Sequence, residues 1–212
     1  MNATDQRTIA VRAVAVGRPS VIGQNRKGDV VSGISKRVIA TETVKVGPLN
    51  IEGDGQADLR NHGGVDKAIY CYPAEHLPFW KAELGYEVEE APFGENLSTL
   101  GITEEDARIG DIWRWGSVVL QISQPRWPCY KLALHSKQDD MVKRFVDSAR
   151  SGWYLRVLEP GSARRTAPIV LEARDPANIS VRMAFDAARG TLDAAGIAEV
   201  NAHPALAEAW RR

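Results

Sequence analysis

The sequence predicts a mostly β protein of the α+β kind: a barrel or sandwich with flanking helices and a small C-terminal helical bundle. Three observations predict it. Short runs rich in β-branched residues recur through the first 174 residues, separated by Gly, Pro, Asn and Asp turns. Few segments in that stretch carry a helical period. After Asp175-Pro176 the chain becomes rich in Ala and reads as short helices. Many short strands that do not alternate with helices point to a barrel or sandwich rather than to βαβ units.

The elements follow in order. Residues 9–16 (IAVRAVAV) alternate loosely, and residues 37–46 (RVIATETVKV) alternate more clearly, so each is expected to form a strand. Residues 68–72 (AIYCY) form a short strand closed by Pro73, with Ile69 and Cys71 on one uncharged face. A helix is expected over 74–84, ended by Gly85, with Pro78 limiting where its first turn lies. Residues 111–123 read as a hairpin turning at Gly116-Ser117. Residues 138–149 place Met141, Val142, Phe145 and Val146 on one helical face. Strands at 152–158 and 167–173 complete the first domain, taken as 1–174.

The second unit, 175–212, carries three helix patterns. Residues 180–190 have Ser180 as N-cap and Gly190 past the end, and further segments lie at 193–200 and 204–210. Helices this short bury little alone, so they are expected to pack on the barrel. A helix-turn-helix DNA reader is the alternative, but none of the three presents a basic, polar recognition face.

Bulk properties narrow the function classes. Basic and acidic side chains balance at 27 each in 212 residues, which argues against a general nucleic-acid or membrane-surface binder. No run approaches the roughly 20 apolar residues of a membrane span, and the N-terminus lacks a signal-peptide pattern. Cys71 and Cys129 are too few for a disulfide scaffold. The expectation is a cytoplasmic protein with reduced thiols.

Three segments could carry chemistry. In QPRWPCYKL (124–132), Pro125 and Pro128 stiffen the chain around Trp127, and Pro128 suits the first position of a helix. Cys129 would then lie in a first helical turn with Arg126 and Lys131 nearby, a setting that favours thiolate, the form that binds soft metals or attacks electrophiles. The alternative is a buried structural cysteine, which suits Cys71 better. In GDGQADLRNHGGVDKAIYCYP (53–73), Gly53, Gly55, Gly63 and Gly64 allow close backbone approach to a ligand. Arg60, His62, Asp66 and Lys67 lie among and after them, an arrangement suited to cradling an anion. Taken separately, the glycines could be a plain turn and His62 a solvated loop residue. PFGENL (92–97) offers Asn96 as donor and acceptor and Glu95 as acid, or else ordinary decoration at the start of a strand.

In order and spacing, these segments together with GITEEDARIGD (101–111) resemble the MOSC family, the domain related to the C-terminal part of molybdenum cofactor sulfurase, and within it the stand-alone bacterial YiiM-type branch. The resemblance covers roughly residues 30 to 160. It implies a MOSC-type β-barrel that binds the molybdenum cofactor (Mo-molybdopterin), with Cys129 as the protein ligand to molybdenum. Metal already held by the pterin dithiolene readily takes one more soft thiolate. Arg126, Lys67, His62, Arg60 and Asn96 would meet the pterin phosphate and polar rings, helped by Gly63, Gly64 and Lys131. The implied activity is reduction of N-hydroxylated compounds, including hydroxylaminopurine-type base analogues, to amines. His62 is then the first candidate for proton donation, followed by Asp66 and Glu95. Trp127 offers a stacking surface for a flat purine, or plain packing. No flavin, haem or iron–sulfur motif is present, so electrons would come from a separate reductase. The competing readings are a cofactor or sulfur carrier, a metal-free hydrolase pairing Cys129 with His62, and a zinc site from Cys129, His62 and His76. A homodimer is left open.

Overall fold

The structure, a computed structural model, describes residues 7–58 and 63–211. In chain order it contains β1 (Thr8–Val16), β2 (Ser20–Asn25), β3 (Gly28–Ser32), β4 (Arg37–Val38), β5 (Thr43–Val46), β6 (Ile69–Pro73), α1 (Leu77–Leu84) and β7 (Leu97–Leu100). It continues with β8 (Ile112–Trp115), β9 (Val118–Pro125), α2 (Tyr130–Ser136), α3 (Met141–Ser148), β10 (Trp153–Glu159), β11 (Gly161–Arg164), β12 (Ile169–Ala173), α4 (Val181–Arg189) and α5 (Ala194–Ala202).

Seven strands, in the order β12-β8-β9-β10-β6-β7-β1, close into a barrel because β1 also pairs with β12, setting Ile9 opposite Ile169. Closure leaves none of these strands with an open edge. All neighbours are antiparallel except β6 and β7, where Cys71 lies opposite Leu97. The short β4 extends the end of β1, while β2–β3 and β5–β11 form separate two-stranded ribbons.

Large apolar side chains fill the main core, with Trp113 and Trp153 packed edge to face at 5.8 Å between ring centres. β6 is buried on both faces. Ile69 and Cys71 face this core, and Tyr70 and Tyr72 face a second cluster with Trp80, Phe93, Leu132, Met141 and Phe145. That double burial explains its unbroken apolar run. Burial also pushes the Cys71 thiol far above its usual range, so this cysteine is structural.

The C-terminal tail belongs to the same packing. Ser180 caps α4 by accepting from the Met183 amide at 2.9 Å. Val181, Phe185, Val200, Leu206 and Trp210 join the main core, and the Ala207 amide donates to Ser123 O at 3.0 Å. No helix among the described residues is long and apolar enough to cross a membrane.

Several local expectations change. The single strand expected over 37–46 is two strands, because the chain leaves β1 at β4 and turns to pair with β11 at β5. The β2–β3 ribbon and β11 (GSAR) lack regular apolar alternation and gave no strand signal. α1 begins at Leu77, after a 3-10 turn over Ala74–His76. Residues 204–210 hold only a 3-10 turn, Glu208–Trp210.

Candidate functional site

A cleft enclosing about 690 Å³, open mouth included, forms where four segments converge: the loop after β3, residues 53–58, the turn before β7, and the segment after β9. Backbone contact makes the convergence, and glycines permit it. A Cβ on Gly33 would lie 2.2 Å from Gly55 O, and one on Gly94 would lie 2.8 Å from Ile34 O. A Cβ on Gly55 would lie 2.8 Å from Pro19 Cδ, so Gly55 also serves loop-to-loop packing, a use its sequence context did not reveal. Gly63 and Gly64 do not line the cleft; Gly64 precedes the 3-10 turn Val65–Lys67.

One wall is built on Asp54. Its Oδ1 accepts from the Gly17 amide at 2.8 Å and from Lys36 Nζ, and its Oδ2 accepts from Asn96 Nδ2 at 2.9 Å. Lys36 and Asp54 form a buried ion pair, and desolvation lowers the lysine pKa against the pull of the carboxylate. Asn96 was expected to meet a ligand. It lines the cleft, and Nδ2 also donates to Ala15 O at 3.2 Å while Oδ1 accepts from the Tyr70 amide at 3.1 Å. Both amide hydrogens are in use, so Asn96 also braces the segments that form the cleft wall.

The opposite wall comes from β9 and the residues after it. Arg126 is buried, its guanidinium 4.7 Å from the Tyr70 ring centre and 5.3 Å from that of Phe145, and Nη1 donates to Tyr70 Oη at 3.3 Å. No carboxylate among the described residues forms an ion pair with it. A guanidinium remains protonated, so this charge is available to an anion in the cleft. Cys129 follows at intermediate exposure. It is the N-cap of α2, in extended conformation, so the helix starts at Tyr130, two residues later than Pro128 suggested. Arg126 and Tyr154 are both electrostatically coupled to Cys129. Lys131 lines the cleft and donates to Val31 O at 3.1 Å. Lys67 lines it too, with its pKa lowered by desolvation.

The structure thus brings together Cys129, Arg126, Lys67, Lys131 and Asn96, and adds Lys36, Tyr70 and Tyr154, which sequence reasoning missed. The spacing carried no signal for Lys36, whose partners lie on distant loops. Tyr70 alternates with the apolar face of β6 and read as core. Arg60 and His62 lie outside the described residues. Asp66 is not in the lining: Arg156 pairs with its carboxylate and also donates to Ala205 O at 2.7 Å, which ties this turn to the tail. The proton-donor candidacy of Asp66 therefore loses its geometric basis. Glu95 is buried just behind the cleft, with Oε2 accepting from the Phe93 amide at 3.0 Å and Oε1 without a hydrogen-bond partner. Burial pushes its pKa up to about 7. His76 is held by Glu104 at 2.6 Å, and no cluster of three His, Cys, Asp or Glu side chains among the described residues could hold a bare metal ion. One thiol amid cations fits a metal that arrives in its own anionic chelate.

The MOSC domain family matches residues 58–173, more than half of the chain. The chain belongs to this family. Within it, an uncharacterized Bacillus subtilis protein, YflK, is 41% identical over 211 residues, covering 97% of this chain and 93% of its own length. The crystal structure of YiiM from Geobacillus stearothermophilus superposes with a TM-score of 0.80 at 33% identity, covering 96% of this chain and 95% of that one. A Gibberella moniliformis protein named Reductase is 34% identical over 157 residues, which is 68% of this chain but only 28% of that protein. The seven-strand barrel with its five helices is therefore a MOSC fold.

Proposed function

We propose that this MOSC protein is an oxidoreductase that binds the molybdenum cofactor through Cys129 and reduces N-hydroxylated compounds, hydroxylaminopurine-type base analogues among them, to amines. The observation that carries the reading is the cleft's donor set: among the described residues a single thiol of intermediate exposure shares it with Lys36, Lys67, Arg126 and Lys131, against the carboxylates Asp54 and Asp58. The membership of the family and the relative named Reductase support it from outside the cleft.

In this reading Cys129 supplies the one protein ligand, with the buried Arg126 guanidinium lining the same cleft. Arg126, Lys67 and Lys131 balance the charge of the pterin phosphate. Lys36 is already matched by Asp54 and shapes the wall. When bound and reduced, the cofactor would supply the two electrons that cleave the N–O bond. Overall, R–NH–OH takes up two electrons and two protons, the N–O bond breaks, and R–NH2 and water leave. A separate cytoplasmic reductase delivers the electrons. Glu95, buried between the lining residues Gly94 and Asn96 with its pKa raised to about 7, is a candidate proton-holding group, and His62 keeps its candidacy.

The test is to prepare wild type and Cys129→Ser from hosts with and without cofactor synthesis, then measure bound molybdenum and hydroxylaminopurine turnover with a reductant. The expected result is molybdenum near one per chain in wild type, loss in the variant, and turnover that follows the metal. Equal molybdenum and turnover in both proteins would refute the ligand assignment. Molybdenum without turnover would favour the carrier role. Turnover in molybdenum-free protein that iodoacetamide abolishes would favour the hydrolase.

A further inference from the structure

We propose that Glu95 takes up a proton when an oxyanion enters the cleft, so that the charge state of one buried carboxyl sets the affinity of the site for anions. The inference rests on the reading above only in its premise that the cleft receives an anion, and it can be measured on cofactor-free protein.

Glu95 sits between Gly94 and Asn96, which both line the cleft, yet it is itself only 1% exposed. Its two oxygens are unequal. Oε2 accepts from the Phe93 amide at 3.0 Å, whereas Oε1 has no hydrogen-bond partner among the described residues. Negative charge on a buried, unpartnered oxygen is costly, and a proton on the carboxyl removes that cost. Two cations of the cleft lining act against it: Arg126 favours the ionised carboxylate, and Lys36 is attracted to it as well. Around Glu95, Tyr70, Cys71 and Tyr72 of β6 are kept neutral by burial, and Glu90 opposes its ionisation. Lys36 is already matched by Asp54, whereas no carboxylate among the described residues forms an ion pair with Arg126. An oxyanion in the cleft engages the Arg126 charge and so offsets the attraction that favours the carboxylate. It also brings a like charge close to Glu95. Both effects favour the protonated carboxyl, and a pKa of about 7 in the empty cleft lets a modest push change its state near neutral pH. Binding that takes up a proton weakens as pH rises. Lys36, Lys67 and His135, each with a pKa lowered by desolvation, would give the same trend by losing positive charge. Replacing Glu95 separates the two causes.

Sulfate is the probe, because it keeps both of its charges throughout the neutral range. Its affinity is read by calorimetry at constant ionic strength, and repetition in two buffers of unlike ionisation enthalpy counts the protons exchanged. In wild type the affinity should fall roughly tenfold from about pH 6 to about pH 8.5, with about half a proton taken up per sulfate near the middle of that range. Glu95→Gln should take up almost none and should bind sulfate roughly tenfold more tightly than wild type at the upper pH, a gain that damage to the fold does not produce. Arg126→Gln should lose sulfate binding and proton uptake together. Infrared difference spectra of wild type, with sulfate minus without, should show a carboxyl band gained and a carboxylate band lost, a readout that needs no variant to fold. Sulfate that does not bind wild type, binds without proton uptake, or leaves the carboxylate band unchanged overturns the proposal and leaves the molybdenum test above untouched. Uptake undiminished in Glu95→Gln assigns it to the lysines or His135 and overturns the proposal. Binding undiminished in Arg126→Gln places the anion elsewhere and does the same. If uptake follows Glu95 as expected while protein from a cofactor-competent host holds no molybdenum and reduces no hydroxylamine, the proposal stands and the reductase reading fails.

Discussion

Asn96 donates to Asp54 Oδ2 at 2.9 Å while its own Oδ1 accepts from the Tyr70 amide at 3.1 Å, so one side chain joins the glycine-rich loop, β6 and the turn before β7. With the bond to Ala15 O it also reaches β1. The cleft wall depends on this brace. Asn96→Ala strips three buried groups of a partner and should destabilise the fold by about 2–4 kcal/mol. Urea unfolding should show the lower midpoint with an unchanged slope.

Lys36 and Asp54 are both buried and paired, so their effects should be strongly coupled. Lys36→Met leaves the carboxylate without its cation and should cost about 3–5 kcal/mol. Adding Asp54→Asn should restore part of that loss. A double-mutant cycle measures the coupling, and simple additivity would contradict it.

Glu95 makes stability depend on pH in an unusual sense. Desolvation raises its folded pKa from 4.5 to about 7, so between these values the folded chain holds more proton than the unfolded one. Stability should therefore fall as pH rises through this window, by roughly 3 kcal/mol at most from this group. Glu95→Gln, which stays neutral, should flatten the profile between pH 5 and 8, as read by denaturant unfolding at each pH. A profile as steep as wild type would assign the dependence to other groups.

Arg156 joins Asp66, Gln121 and the Ala205 carbonyl. Arg156→Met should cost about 1–3 kcal/mol, since the site is partly screened by solvent. The loss should be local first. Amide exchange around Leu206–Trp210 should accelerate before the barrel strands do.

The barrel was legible where burial is one-sided and periodic. The 111–123 hairpin and the strands at 9–16 and 167–173 stand where the alternation of the sequence set them. β11 was not legible, because its pairing with β5 comes from a remote segment and not from its own pattern. In the cleft, Cys129, Arg126 and Lys67 carried local signals of charge and rigid backbone. Lys36 and Asp54 became a pair only when residues 18 apart in the chain met across two loops.

The sequence by itself determined the fold class and the family, because alternation and motif order are local properties that survive in a linear chain. Only the tertiary structure decided which polar residues face the cleft and which hold it up. Asp66 looked fit for a ligand, yet its carboxylate pairs with Arg156, while Asn96 and Gly55 line the cleft and also hold other segments of the protein. A polar group can serve as brace or as contact, and the choice depends on partners that folding brings from elsewhere in the chain.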